Sequence, residues 1–187
     1  MQTRSVRLLR LIEWRALKPA ASGFTLLELL VVIIIVGLIA AIAAPSWFQF
    51  LQVRRLAAAQ DIVNNGIKEA QSKAQQRNVD WDFALRENSG ITEWSIYPSA
   101  ILSPSTAANW QPLHGDIAID HDNSYTNTLG ADGIYEARFD YKGYSKAAVG
   151  GKLTLMSKNV PDLKRCVLLS TLLGATRMER DDNCITP

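Results

Sequence analysis

The chain has 187 residues and a hydrophobic fraction of 48%, which suffices for one ordinary domain with a sizeable core and a further segment. Five cations and one acid precede Phe24, so 15 cations and 17 acids follow it. The pI of about 8.6 is therefore due to the N-terminal segment and does not indicate a nucleic-acid-binding protein. The cations of that segment are Arg4, Arg7, Arg10, Arg15 and Lys18, and its acid is Glu13.

An apolar run extends from Phe24 to Ala44, and Glu28 is its only charged residue. About twenty such residues are the length that a helix needs to cross a bilayer. Because the cations lie before this run, the positive-inside tendency keeps residues 1–23 in the cytoplasm and directs the rest of the chain outward. The sequence predicts a leader (1–23), a transmembrane helix (24–44) and an extracytoplasmic C-terminal part.

The order of small and apolar residues is the reverse of that in a secretory signal. A secretory signal has a shorter apolar core, and small residues follow it at the cleavage site. Here the small residues 20–23 precede the apolar run. A cut after Gly23 would remove the basic leader and leave Phe24 at the start of a retained apolar helix.

Glu28 lies inside the predicted membrane span, where an ionisable group costs about 3 kcal/mol or more. Such a group needs a partner. In the cut chain, the nearest cation would be the new amine of Phe24, about one helical turn away. The Phe24 amine of a neighbouring subunit would serve equally well and would make the carboxylate a signal for register in an assembly.

Residues 23–28, Gly-Phe-Thr-Leu-Leu-Glu, and the following LLVVIIIVGLIAAIAAP resemble the class III signal of type IV pilins and pseudopilins. The resemblance implies that a prepilin peptidase cleaves after Gly23 and methylates the amine of Phe24. It also implies that Glu28, with Phe24 and Pro45, guides docking into a growing filament. The expected partners are other pilin subunits and an inner-membrane assembly platform, and no cofactor is expected. The alternative is a plain signal anchor that happens to contain Glu28.

The helix is predicted to continue beyond the membrane. Pro45 is expected to kink or locally unwind it, and Trp47 and Phe48 follow where interfacial aromatic residues are found. Residues 45–77 form an amphipathic pattern that predicts a helix to about Arg77. Its apolar positions are Val53, Leu56, Val63, Ile67, Ala70 and Ala74, and the residues assigned to other faces are Arg54, Arg55, Asp61, Asn64, Lys68 and Ser72.

Residues 78–187 read as a β-rich head, since short apolar runs alternate with glycine, proline, asparagine and serine. The stretch between Pro98 and Pro112 is predicted to be a long loop. The predicted strands are Trp81 to Leu85, Ile91 to Tyr97, Ile117 to Ile119, Ile134 to Tyr141, Lys152 to Ser157, Lys164 to Leu169 and Ala175 to Met178.

Residues 137–177 resemble the end of the head of H-type pseudopilins and minor pilins. The cues are Phe139 with Gly143, a strand around 153–155, the run 165–167 and the run 174–177. The family usually has a shorter step before that last run, where this chain has Leu172 and Leu173. The resulting fold prediction is α+β, with a long kinked helix packed on an H-type pilin head.

Cys166 and Cys184 are the only cysteines. An even number beyond a membrane segment fits one disulfide in an oxidising compartment. Two unrelated buried thiols are the alternative.

Catalytic and metal-binding patterns are weak. Asp120, Asp122 and Asn123 could suggest a calcium loop, but an EF-hand starting at Asp120 would need glycine at Tyr125 and glutamate at Ala131. A solvated turn is favoured and no metal is predicted. His114 and His121 accompany no catalytic motif. A membrane-anchored enzyme is therefore a minor alternative, and the chain is not predicted to be an enzyme.

Nine cations against three acids lie between Arg138 and Arg180. Lys164, Arg165, Arg177 and Arg180 are accordingly candidate DNA contacts, although such an excess is commonly a solvated face. The favoured function is a minor pilin or pseudopilin of a type IV pilus or type II secretion pseudopilus, and a DNA-binding minor pilin is the alternative.

Overall fold

A computed structural model describes residues 23–100, 109–124, 133–146 and 151–185. All of the predicted leader except Gly23 lies outside these residues. The chain divides into two units, residues 1–42 and 43–187, which are described separately. A single helix, α1 (Leu26–Arg77), contributes to both units and ends at the predicted residue.

The described part of the first unit is the start of α1. Its side chains are exposed and apolar on all faces, which is the pattern of a helix that needs an apolar surrounding. The most apolar 18-residue window of α1 has a mean hydropathy of 3.1 and no buried residue. By length and composition, the helix can cross a membrane.

In the second unit, α1 is helical throughout, Pro45 included. The local unwinding suggested for Pro45 is therefore absent, while the kink stays a prediction. Five of the six predicted apolar positions are buried, and Val53 is half-buried. The assignment of Asn64 to a polar outer face is wrong: Asn64 is 6% exposed, and its Oδ1 accepts a hydrogen bond from the Thr176 hydroxyl at 2.7 Å.

In the described part of the chain, eight strands follow α1 and form two four-stranded sheets, both antiparallel. Sheet A has the order β3-β2-β1-β5 and sheet B the order β4-β6-β7-β8. A short 3₁₀ helix, Asp181–Cys184, follows β8. The strands are β1 (Trp81–Asn88), β2 (Ile91–Pro98), β3 (Gln111–Pro112), β4 (Ile117–Ile119), β5 (Tyr135–Phe139), β6 (Gly151–Ser157), β7 (Lys164–Leu169) and β8 (Thr176–Arg180).

Each of the seven predicted strands overlaps an observed strand, and the α+β class is confirmed. The first two strands form a hairpin whose turn residues Ser89 and Gly90 both have positive φ, 52° and 76°. Such a turn matches the twist of the flanking strands. β3 was not predicted, because two residues cannot show a periodic pattern. This strand lies at the end of the predicted long loop. Residues 101–108 of that loop are outside the described part of the chain.

One hydrophobic core joins the helix to both sheets. Its α1 members are Leu56, Ala59, Val63, Ile67, Ala70 and Ala74. Those of sheet A are Phe83, Leu85, Tyr135, Ala137 and Phe139, and those of sheet B are Ile117, Ile119, Leu153, Leu155, Val167 and Leu169.

The other face of sheet A holds a buried charge network. Asp82 is 1% exposed and accepts hydrogen bonds from the Arg138 guanidinium at 3.0–3.2 Å. Arg138 also donates to Glu136, which in turn accepts from the Tyr97 hydroxyl at 2.7 Å. Burial and the neighbouring Glu136 raise the pKa of Tyr97 far above its ordinary value, so Tyr97 stays a neutral donor.

Gly66 allows α1 to approach the Phe83 ring of sheet A closely. A Cβ at this position would lie 2.5 Å from Cε2 of Phe83, whose ring is fully buried. The ring cannot move away without disturbing the core, so the site requires glycine for steric reasons although glycine weakens a helix.

We expect Gly66→Ala to lower the free energy of unfolding by about 1–3 kcal/mol through overpacking, despite the better helix propensity of alanine. The matched control is Gly115→Ala, because no atom lies within 4 Å of a Cβ at Gly115. Urea denaturation of both full-length variants in detergent checks the difference. Equal stability of the two variants would contradict the steric role of Gly66.

Candidate functional site

The residues around the predicted cleavage point lie outside regular structure. Gly23, Phe24 and Thr25 precede the first residue of α1, and all three are exposed. Among the described residues, which begin at Gly23, no atom lies within 4 Å of a Cβ built on Gly23, and Phe24 is 75% exposed. None of these residues therefore covers the peptide bond between Gly23 and Phe24.

Thr25 caps the start of α1. Its hydroxyl accepts a hydrogen bond from the backbone N–H of Glu28 at 3.2 Å, and its carbonyl accepts one from the N–H of Leu29 at 3.2 Å. Threonine followed three residues later by glutamate is the capping-box pattern. Sequence reasoning missed this role of Thr25, although the spacing alone could have indicated it.

Glu28 lies in the first turn of α1, where the helix dipole favours a negative charge. In the part of the chain that the structure describes, Glu28 forms no ion pair and its side chain is exposed. The carboxylate is therefore free to meet a cation from outside this part of the chain. The predicted partner, the Phe24 amine, exists only after cleavage.

Glutamine side chains connect α1 to sheet B and to the loops that follow β5 and β7. Gln60 Nε2 donates to the carbonyls of Cys166 and Glu179 at 2.7 and 2.9 Å. Gln71 Nε2 donates to the carbonyls of Gly143 and Leu173 at 2.9 and 2.7 Å. These contacts were not predicted, because a single sequence does not show which carbonyl groups a glutamine will meet.

The two cysteines form a disulfide between β7 and the 3₁₀ helix, with 5.6 Å between their Cα atoms. Both are fully buried. The Cys184 carbonyl accepts a hydrogen bond from the Lys152 ammonium at 2.9 Å, and Lys152 itself is 1% exposed. The predicted pairing is confirmed, and it holds the C-terminal turn against sheet B.

The four candidate DNA contacts do not share one surface. Side chains alternate along a strand, so Arg165 and Arg180 lie on the helix side of sheet B and Lys164 and Arg177 on the opposite side. Lys164 forms an ion pair with Asp120 at 2.6 Å, and its side chain is 19% exposed.

Residues 120–123, considered above as a calcium loop, form a hydrogen-bonded turn. Asp120 is 5% exposed and accepts from the Lys164 ammonium and from the side-chain amide of Asn123 at 2.9 Å. Burial alone would raise the pKa of Asp120, but these hydrogen bonds outweigh it and hold the pKa below its usual value. The described residues contain no group of three potential metal ligands.

Comparison with family models identifies a prokaryotic N-terminal methylation motif at residues 18–44. The matched range contains Gly23, Phe24 and Glu28 and supports the resemblance to type IV pilin-like proteins. No curated protein and no solved structure shows a significant match to the chain.

We expect the disulfide to protect both cysteines from alkylation in the denatured, unreduced protein. A loop of 18 residues should contribute about 3 kcal/mol to the free energy of unfolding. The double variant Cys166→Ala/Cys184→Ala should lose that amount and should match the reduced protein. Mass spectrometry after alkylation and urea denaturation measure the two effects. Alkylation of both thiols without a reductant would rule out the bond.

Proposed function

The chain carries the N-terminal methylation motif of type IV prepilins, and we propose that the protein is a structural subunit of a type IV pilin-like filament. It is made as a membrane-held precursor, cut after Gly23, and assembled through its N-terminal helix. The observation that carries this proposal is the motif match at residues 18–44, a range that contains Gly23, Phe24 and Glu28.

The local geometry supports processing. A protease binds its substrate in an extended form, and α1 begins only at Leu26. Gly23 and Phe24 therefore lie outside the helix, and none of the described residues approaches within 4 Å of a Cβ built on Gly23. A prepilin peptidase would meet an accessible peptide bond directly before the retained helix.

The charge pattern supports the orientation. The leader contains five cations before the apolar run, which favours a cytoplasmic leader and an outward-facing head in a bacterial inner membrane. The disulfide agrees with a head in an oxidising compartment. Other pilin subunits and an inner-membrane assembly platform are the partners that this topology requires.

At a finer level, we favour a minor pilin or pseudopilin, because residues 137–177 have the H-type pattern and β5–β8 follow it along the chain. The DNA-binding alternative has less support. Its four candidate cations are divided between two faces, whereas phosphate binding requires cations on one surface.

We expect Gly23→Val to block cleavage, since a branched side chain would occupy the position where the backbone must approach the peptidase closely. The matched control is Gly37→Val, the same change inside the retained helix, which should be cleaved normally. Mass spectrometry of the membrane fraction should find Phe24, methylated, as the N-terminus of the unmodified protein and the control. An intact leader in cells with an active prepilin peptidase would refute the proposal.

We expect Glu28→Leu to remain membrane-bound and cleaved but to be absent from filaments, because leucine is retained more easily in a bilayer and cannot pair with an amine. Glu28→Gln should assemble in part, since it can form a hydrogen bond but no ion pair. Thr25→Val is the control: it removes the cap of α1 and keeps the carboxylate, so it should assemble. Immunoblots of sheared filaments and membranes measure both steps. Normal recovery of the leucine variant in filaments would exclude the assembly role of Glu28.

A further inference from the structure

β8 is the last strand of sheet B and pairs only with β7 among the described strands. A strand in this position has one row of backbone N–H and C=O groups that no strand of its own chain uses. Met178, at the centre of β8, is 50% exposed. Within the described residues, no strand covers the outer edge of β8.

The register of the β7–β8 hairpin shows which groups point outward. The Ser170 N–H donates to the Ala175 carbonyl at 2.8 Å, so this pair is hydrogen-bonded. Antiparallel pairs alternate between hydrogen-bonded and non-hydrogen-bonded types. Along the register, the N–H and C=O groups of Thr176, Met178 and Arg180 therefore point away from β7.

A contact from α1 agrees with this assignment independently. Gln60 Nε2 donates to the carbonyls of both Cys166 and Glu179, which are register partners. One amide group can reach both carbonyls only if they face each other across the ladder, as they do in a hydrogen-bonded pair. The pair next to it, Arg165 with Arg180, is then of the non-hydrogen-bonded type.

An open groove of about 540 Å³ lies beside this edge, between β8 and α1. It combines an apolar methionine with charged and amide groups, so it offers both contact area and polar recognition. The residues that line it are Ala57, Gln60, Asp61, Arg165, Met178, Glu179, Arg180 and Asn183.

Arg165 and Arg180 bring two positive charges to the groove, which Asp61 also lines. They are directly opposite each other, and like charges in such a pair are destabilising. Arg165 donates to the neutral Gln60 Oε1 at 3.2 Å, whereas the nearby Glu179 pairs with Arg177 at 2.8 Å. Within the described part of the chain, neither arginine of the groove forms an ion pair. An anion placed between them would remove the repulsion.

We propose that β8 and this groove bind an extended acidic segment of another filament subunit. The segment pairs with the outward N–H and C=O groups of Thr176 and Met178 and with the N–H of Arg180, whose carbonyl begins the 3₁₀ helix. One of its carboxylates meets Arg165 and Arg180. Two independent features require the same occupant: the free strand edge fits an extended backbone, and the two arginines fit a carboxylate. The identity of the partner as a filament subunit rests on the function proposed above.

The groove favours a protein carboxylate over nucleic acid. The Asp61 carboxylate also lines it and would repel the closely spaced phosphates of a polynucleotide. Lys164 and Arg177, which could extend a basic surface, lie on the other face of sheet B. A single carboxylate, in contrast, can be bound by Arg165 and Arg180 alone.

The test measures binding of the full-length protein in detergent to a labelled eight-residue peptide that alternates threonine and glutamate. We expect saturable binding that falls about tenfold when glutamine replaces glutamate in the peptide, the loss of one charge-assisted interaction. Arg180→Gln should lower the affinity of the acidic peptide by about the same factor. The matched control is Arg177→Gln, on the same strand and the opposite face, which should change it less than about twofold.

Met178→Pro tests the strand edge separately. The N–H that it removes points away from β7, so the hairpin keeps its own hydrogen bonds while the edge loses a donor. We expect this variant to retain its circular dichroism spectrum and to lose about tenfold or more in peptide affinity. Unchanged affinity of Met178→Pro would refute edge pairing.

Three results would overturn the inference. Equal binding of the acidic and neutral peptides would exclude recognition of a carboxylate. Absence of binding to either peptide would leave the arginines only the role of protecting a strand edge from aggregation. Binding of a DNA oligonucleotide, but not of the peptide, with loss in Arg180→Gln would assign the groove to nucleic acid.

Separate measurements test the β8 site and the filament function. If Glu28→Leu is excluded from filaments and the peptide does not bind, only the β8 site is wrong. If the peptide binds through Arg180 but the chain is never cleaved after Gly23, the site exists and the filament function is wrong. In cells, the Arg180→Glu variant should be cleaved normally and recovered poorly in filaments. The Glu28→Leu variant should also be absent from filaments, but its purified form should bind the peptide as the unmodified protein does.

Discussion

The fold of residues 43–187 depends on the burial of one face of α1. No strand of sheet A pairs with a strand of sheet B in the described part of the chain. The apolar side chains of both sheets meet in one core that contains the helix residues Leu56, Val63 and Ile67. Since neither sheet could cover its apolar face alone, the helix is the element that makes them one unit. Close approach of the helix requires a glycine at position 66, opposite the Phe83 ring.

Polar groups within the packed surface determine the register between helix and sheets. Hydrophobic contacts tolerate small displacements along the helix, whereas the hydrogen bonds of Gln60, Asn64 and Gln71 have fixed lengths and partners. A buried amide that loses its partner costs about 1–3 kcal/mol, so each such contact disfavours an alternative register. This precision would matter in the proposed filament, because neighbouring subunits would contact the head and the helix at the same time.

Charge on the head is compensated in some places and not in others. Asp82 and Glu136 are buried with Arg138, and Lys164 is paired with Asp120, so these groups are committed to the fold. The groove beside β8 differs, because its two arginines lack acidic partners in the described part of the chain. A surface that carries unsatisfied charge and an unpaired strand edge is suited to contact with another chain.

The sequence by itself determined the features that depend on neighbouring residues. The prepilin signal, the end of α1 at Arg77 and the seven strands all follow from local order, periodicity and turn residues, as does the capping pattern of Thr25 with Glu28. The disulfide could be predicted because only two cysteines exist.

Only the tertiary structure decided which polar helix residues are buried, where the basic residues lie and which strand is left at an edge. Asn64 and Gln60 belong to the core surface because carbonyls and hydroxyls more than a hundred residues away happen to meet them. Likewise, alternation along a strand already places Lys164 and Arg165 on opposite faces, but only the packing of sheet B on α1 decides that Arg165 is the one that faces the helix.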